Sequence, residues 1–229
     1  MIVALAFLFV TTLLSGVFYF VFEKFGNNIL KYISIFGGAF LMAICFVDML
    51  PHIFSNTNYK MLCSAFILIG FLVQLLLELV SHGAEHGHLH NHTNNIMPVM
   101  VLIGVSLHAF FEGFALMSNG VVNTGLLIGI ILHNVPVAVV IISSFIQSGK
   151  GKGESFVMLA IFAIMGVIGA IFNYEFAVSD YEPFVLSFVV GILLHVSVST
   201  LFDSEKSHRY NLVRFLIVIA AFGIVFLLP

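Results

Sequence analysis

The chain divides into eight apolar runs separated by short polar breaks: 2–22, 30–50, 61–80, 97–117, 122–146, 155–174, 183–202 and 211–228. A helix needs roughly 20 such residues to cross the hydrocarbon core of a bilayer. The breaks carry the turn residues, among them Gly26-Asn27-Asn28, Asn56-Thr57-Asn58, Ser118-Asn119-Gly120 and the run from Gly149 to Gly153. Only 8% of the residues are charged and 61% are apolar, against about 25% charged in a soluble domain. That composition excludes a soluble enzyme, a nucleic-acid binder, a disordered chain and a secreted disulfide scaffold. The expectation is an all-α integral membrane protein: one transmembrane domain over residues 1–229, with backbone polar groups satisfied inside each helix. The first run has no basic region before it, so it reads as a retained helix rather than a signal peptide. Cys45 and Cys63 sit in apolar runs with no CxxC spacing and read as packing thiols.

Lysine and arginine set the orientation. With the N-terminus outside, Lys24, Lys31, Lys150, Lys152, Lys206, Arg209 and Arg214 fall on the cytoplasmic side and Lys60 alone falls outside. An even number of spans then puts the C-terminus outside as well. The stretch 82–92 becomes a cytoplasmic loop.

A charge near the bilayer centre costs about 2.5–3.5 kcal/mol on insertion scales, so each ionisable residue inside a span needs a reason. His108 and Glu112 lie four apart in the fourth span, on one helix face. His133 lies at comparable depth in the fifth span, followed by Asn134 and Pro136. The short turn between these spans makes them antiparallel neighbours. Two imidazoles and a carboxylate in a dry site suit a divalent first-row metal. Asn134 is a further candidate ligand. Pro136 frees the Leu132 carbonyl as another oxygen, and Gly113 permits close helix approach. The competing reading is a buried hydrogen-bonded pair that glues helices together. The second histidine at matching depth favours the metal.

Further polar groups continue the line across the membrane. Asp48 and His52, four apart near the outer end of the second span, read as an outer collecting site, against a plain helix-end pair. His195, Ser199 and Asp203 repeat every four residues toward the inner end of the seventh span and read as an exit stripe, against a stripe that only bonds its neighbours. Glu78 reads as a snorkelling interfacial carboxylate. Met42, Cys45 and Met49 read as core packing. The segment 82–92 holds five of the ten histidines, His82, His86, His88, His90 and His92. Such tracts bind zinc-like metals loosely.

These residues resemble the ZIP (Zrt/Irt-like protein) divalent metal-ion transporters over essentially the whole chain. His108-Ala109-Phe110-Phe111-Glu112-Gly113 is similar to the family's HxxxEG motif. Asp48-Met49-Leu50-Pro51 resembles its D-L-L-P, and His133-Asn134-Val135-Pro136 its H-x-x-P. The resemblance implies uptake of Zn2+, or of Fe2+ and similar ions, into the cytosol. It also implies a metal site at His108, Glu112 and His133, alternating access of one helix bundle against another, and often a homodimer. Metal is the transported substrate here, and neither a resident cofactor nor a nucleic-acid partner is expected. Ala109, Asn134 and Val137 depart from positions that build a second, bridged metal site in binuclear members, so one metal is expected. Thr200 stands where an acidic group is often found. Short loops suggest a plasma membrane, bacterial if the source is prokaryotic.

Two other functions compete. An intramembrane zinc hydrolase would also hold metal on histidine and carboxylate, but the chain has no H-E-x-x-H, and a trans-membrane line of polar groups serves no hydrolase. A metal sensor would use mainly the loop 82–92.

Overall fold

The computed structural model describes residues 1–20, 28–80, 96–118, 120–176, 181–202 and 208–228. These residues form eight helices. Helix α1 is Ile2–Ser15, prolonged to Phe20. Helix α2 begins as Asn28–Ile44, passes through a π-helical turn at Cys45–Met49 and ends as Leu50–Ser55. The remainder are α3 (Lys60–Val80), α4 (Ile96–Ala115), α5 (Thr124–Gln147), α6 (Lys152–Phe176), α7 (Glu182–Phe202) and α8 (His208–Val225). Seven are long and apolar enough to cross a membrane, while the apolar part of α8, Asn211–Val225, is shorter. The protein is an all-α integral membrane protein. The histidine tract 82–92 and Asp203 lie outside the described residues.

Two elements differ from the sequence reading. The second span was expected to stop at residue 50, before Pro51, yet α2 runs on to Ser55. The π-turn explains this. The Leu50 amide bonds back to the Cys45 carbonyl, five residues earlier, and this local change of register admits a proline that has no N–H to give. Between α4 and α5, where only a polar break was expected, Met117–Ser118 (β1) pairs antiparallel with Val121–Val122 (β2). Gly120, with φ +77°, turns this short hairpin in the left-handed region open to glycine.

Helix α2 lies at the centre of the packing. Helix α4 lies on α6, and α1 lies on α5 and α6; α3 lies on α7, while α2 packs on α7 and α8. Helix α2 also crosses α5 in an extensive contact, and α4 makes lesser contacts with α3 and α7. Small residues make the tightest crossings, as expected where hydrocarbon gives no hydrophobic drive for helices to associate. A Cβ on Gly113 would overlap the Gly166 carbonyl, and one on Gly169 the Phe110 carbonyl, so α4 and α6 touch backbone to backbone. Gly70 against Phe188 and Gly191 against Ile67 do the same for α3 and α7. Asn173 of α6 donates to the carbonyls of Phe114 and Met117 at 2.6 and 2.8 Å, holding the end of α4. Arg214 of α8 donates to the Leu201 carbonyl near the end of α7, where a cation complements the helix dipole. Cys45 and Cys63 are free, buried thiols, and Met42, Cys45 and Met49 belong to the main apolar core, as the sequence suggested.

Candidate metal site

The α4 face that carries His108 and Glu112 turns toward the centre of the bundle. The two side chains meet one turn apart, Nε2 to Oε1, at 3.1 Å. His133 reaches them from α5, its ring edge-on to His108 with centroids 5.7 Å apart. One ligand atom from each of the three residues lies within 4.8 Å of the other two, and all three residues are 5% exposed or less. Donors around one ion, bound at about 2.0–2.2 Å, stand at most roughly 4 Å apart, so the set closes on a cation with small side-chain rotations. Among the described residues this is the one cluster of three such donors. Glu112 Oε2 accepts no hydrogen bond among the described residues. A buried carboxylate oxygen left without a donor is costly unless something positive satisfies it.

Neighbouring elements fix this geometry. Pro136 lies inside a continuous α5, and Gly37 of α2 packs against the Leu132–His133 peptide, 3.2–3.3 Å from an added Cβ to its backbone atoms. Helix α2 therefore rests on the backbone that carries His133. Gly113, beside Glu112, makes its close approach to α6 rather than to α5. A small cavity beside the cluster is lined by Leu8, Ala109, Glu112, Ile130, Asn134 and Gly166, among others.

Asn134 is oriented from α1. Its Nδ2 donates to Thr12 Oγ1 at 3.0 Å, and the Thr12 hydroxyl donates to the Leu8 carbonyl at 2.8 Å. Its Oδ1, the atom able to bind a cation, has no hydrogen-bond partner among the described residues. Sequence reasoning missed Thr12, although a threonine pair within an apolar run was a visible signal. It also missed Gly37, whose role depends on which helix crosses it.

The outer pair does not come together as one unit. Asp48 lies in the π-turn, is exposed, and accepts from Asn123 Nδ2 at 2.6 Å. Asn123 caps α5, its Oδ1 accepting from the Leu126 amide at 2.9 Å. His52 Nδ1 lies 3.2 Å from Asn56 Nδ2. Among the described residues no third donor joins Asp48 and His52. The inner stripe also differs from expectation. Ser199 donates to the His195 carbonyl of its own helix, the usual fate of a serine within a helix. His195 instead faces Glu78 of α3, at 3.4 Å. Glu78 is thus half-buried and paired rather than snorkelling.

Apolar membrane helices enclosing two imidazoles and a carboxylate define a polytopic membrane protein with a buried cluster fit for a metal ion. The ZIP Zinc transporter family matches residues 81–229, well over half of the chain, and the chain belongs to that family. Its members transport divalent metal ions and are transporters rather than enzymes. The matched stretch takes in His108, Glu112, His133 and His195, and stops short of Asp48, His52 and Glu78. No curated protein matches the chain.

Proposed function

We propose that the protein carries Zn2+, or a similar ion such as Fe2+, into the cytosol by alternating access, with His108, Glu112 and His133 as the transport site. The observation that carries this reading is the convergence of three buried donors from two helices. In hydrocarbon a carboxylate is retained at a cost of a few kcal/mol, and a passing dication would offset that cost. Imidazole and carboxylate together form a borderline site that holds zinc without burying it in thiolates.

The proposed motion divides the helices into two bodies. The group α1, α4, α5 and α6 carries the site, and the group α2, α3, α7 and α8 lies against it along the α2–α5 crossing. Sliding at that crossing opens the site to one side at a time. The site takes one ion. Ala109 offers no donor, and Val137 lies in an apolar cluster of α4, α5 and α6. Asp48 and His52 collect cations outside, and the histidines of 82–92 together with Asp203 receive them inside. The protein works as a homodimer in a plasma membrane.

Zinc uptake into proteoliposomes tests this, comparing wild type with His108→Ala and Glu112→Ala. Both variants should fall close to empty liposomes. Unchanged uptake in both would remove the site assignment, and wild-type uptake equal to that of empty liposomes would remove the function. Anomalous scattering from zinc-soaked crystals counts the ions.

A further inference from the structure

Helices α3 and α7 carry a second ionisable pair inside the bundle. Gly70 and Gly191 bring the two backbones into contact. Helical side chains lean toward their own N-terminus, so Glu78, near the end of α3, reaches back to the level of His195. Its Oε2 lies 3.4 Å from His195 Nε2. The side chains are 21% and 7% exposed. Phe71, two turns before Glu78, packs edge-on against the imidazole with centroids 4.8 Å apart. Gln74, fully buried, lies one turn before Glu78 on the same α3 face.

The spacing is informative. A good N–H···O contact centres near 2.9 Å, whereas two donors on one tetrahedral ion, each bound at 2.0–2.1 Å, stand roughly 3.3 Å apart. The Glu78–His195 separation suits a long ion pair and also lets both groups close on one ion with little movement. Depth follows from α4. Phe111 stacks edge-on with Phe188 at 5.1 Å, and α4 runs antiparallel to α7 by the order of spans. Stepping from Phe111 back to His108 is therefore matched by stepping from Phe188 toward Gly191. His195 lies a further turn along, about 6 Å at 1.5 Å per residue.

We propose that Glu78 and His195 form a second divalent-cation site, one helical turn toward the cytoplasm from His108, on the helix group opposite the transport site. Water, admitted beside the partly exposed Glu78, completes the coordination. Only the role of this site as a receiving station rests on the transport reading; its binding of metal does not. A receiving donor pair on the other helix group gives the ion somewhere to go when the groups move, and two donors hold it weakly enough to release.

The test is Zn2+ titration of the full-length purified protein, with His108→Ala, Glu112→Gln, Asp48→Asn, His52→Ala, Asp203→Asn and alanines at the five loop histidines to silence the other sites. Adding Glu78→Gln, which keeps the side chain's shape and loses its charge, is the deciding variant, and His195→Ala the companion. We expect one ion per chain in the silenced background and weakening of about 100-fold in each variant, at the upper end of what the loss of even an outer-shell partner costs. Absence of an ion in the silenced background overturns the site. So does binding that survives Glu78→Gln unchanged, because the pair then only joins α3 to α7. Wild-type uptake indistinguishable from empty liposomes would remove the transport reading while leaving this titration intact.

Discussion

Gly37 of α2 rests on the backbone of His133: a Cβ at Gly37 would stand 3.2 Å from the His133 amide nitrogen and 3.3 Å from its Cα. The position of one proposed metal donor is thus set by the absence of a side chain on another helix. Gly37→Ala asks for a few tenths of an ångström and should leave zinc uptake within about twofold of wild type, a few tenths of a kcal/mol. Gly37→Val pushes α5 away, with an overpacking cost of about 1–3 kcal/mol, and should reduce uptake about tenfold or more. Proteoliposome uptake for both variants checks this.

Gly113 and Gly166 face each other, but not symmetrically. A Cβ on Gly113 overlaps the Gly166 carbonyl, a backbone atom that cannot rotate away, whereas one on Gly166 meets nothing nearer than 3.5 Å. Gly113→Ala should lower the thermal midpoint by several degrees and displace the adjoining Glu112. Gly166→Ala should fold normally. Equal stability of the two variants would contradict the close α4–α6 crossing.

Thr12 holds Asn134 by one hydrogen bond within the bundle. Such bonds average about 0.6 kcal/mol in membrane proteins, so Thr12→Val should cost little stability. It also releases Asn134 Nδ2, so the amide should turn and zinc affinity should change by more than the stability does. Isothermal titration alongside thermal unfolding separates the two effects.

Glu112→Gln removes a buried charge that is costly without metal, at about 2.5–3.5 kcal/mol on insertion scales. The metal-free variant should therefore melt at a higher temperature than the metal-free wild type. A ligand at 100 times its Kd stabilises by about 2.7 kcal/mol, and most of that zinc-induced shift should disappear in the variant. Thermal scans with and without zinc reveal both signs, and a lower metal-free midpoint would contradict the reading.

Asn123 links two elements, capping α5 through Oδ1 and donating to Asp48 through Nδ2. Asn123→Ala should cost about 1 kcal/mol as a lost cap. It also removes the donor that holds the Asp48 carboxylate, which the proposed outer site would use. Uptake measured at limiting zinc should then change while uptake at saturating zinc stays close to wild type.

Much of the fold could be read from the chain because hydrocarbon is a demanding solvent. A run of twenty apolar residues has few alternatives to a spanning helix, and the helix limits differ from the expected runs mainly at Pro51. There a π-turn, which apolar periodicity does not encode, carries α2 onward. The central cluster was legible for a related reason. Ionisable groups are so costly at mid-membrane that His108, Glu112 and His133 stand out against their surroundings. The outer and inner pairs were less legible, because near a helix end spacing on one helix cannot say which neighbouring helix supplies the partner. Asp48 was paired in sequence with His52 and is found bound to Asn123; His195 was aligned with Ser199 and faces Glu78.

The amino-acid sequence by itself determined an all-helical membrane protein, the three ionisable residues that stand out within its fourth and fifth apolar runs and its kinship with metal carriers, since burial in lipid filters residues one at a time. Only the tertiary structure decided which helices touch. That depends on where small residues on separate helices coincide, at Gly113 with Gly166, Gly70 with Phe188 and Gly37 with His133. Those coincidences are pairwise and non-local, and they bring Thr12 to Asn134 and Glu78 to His195.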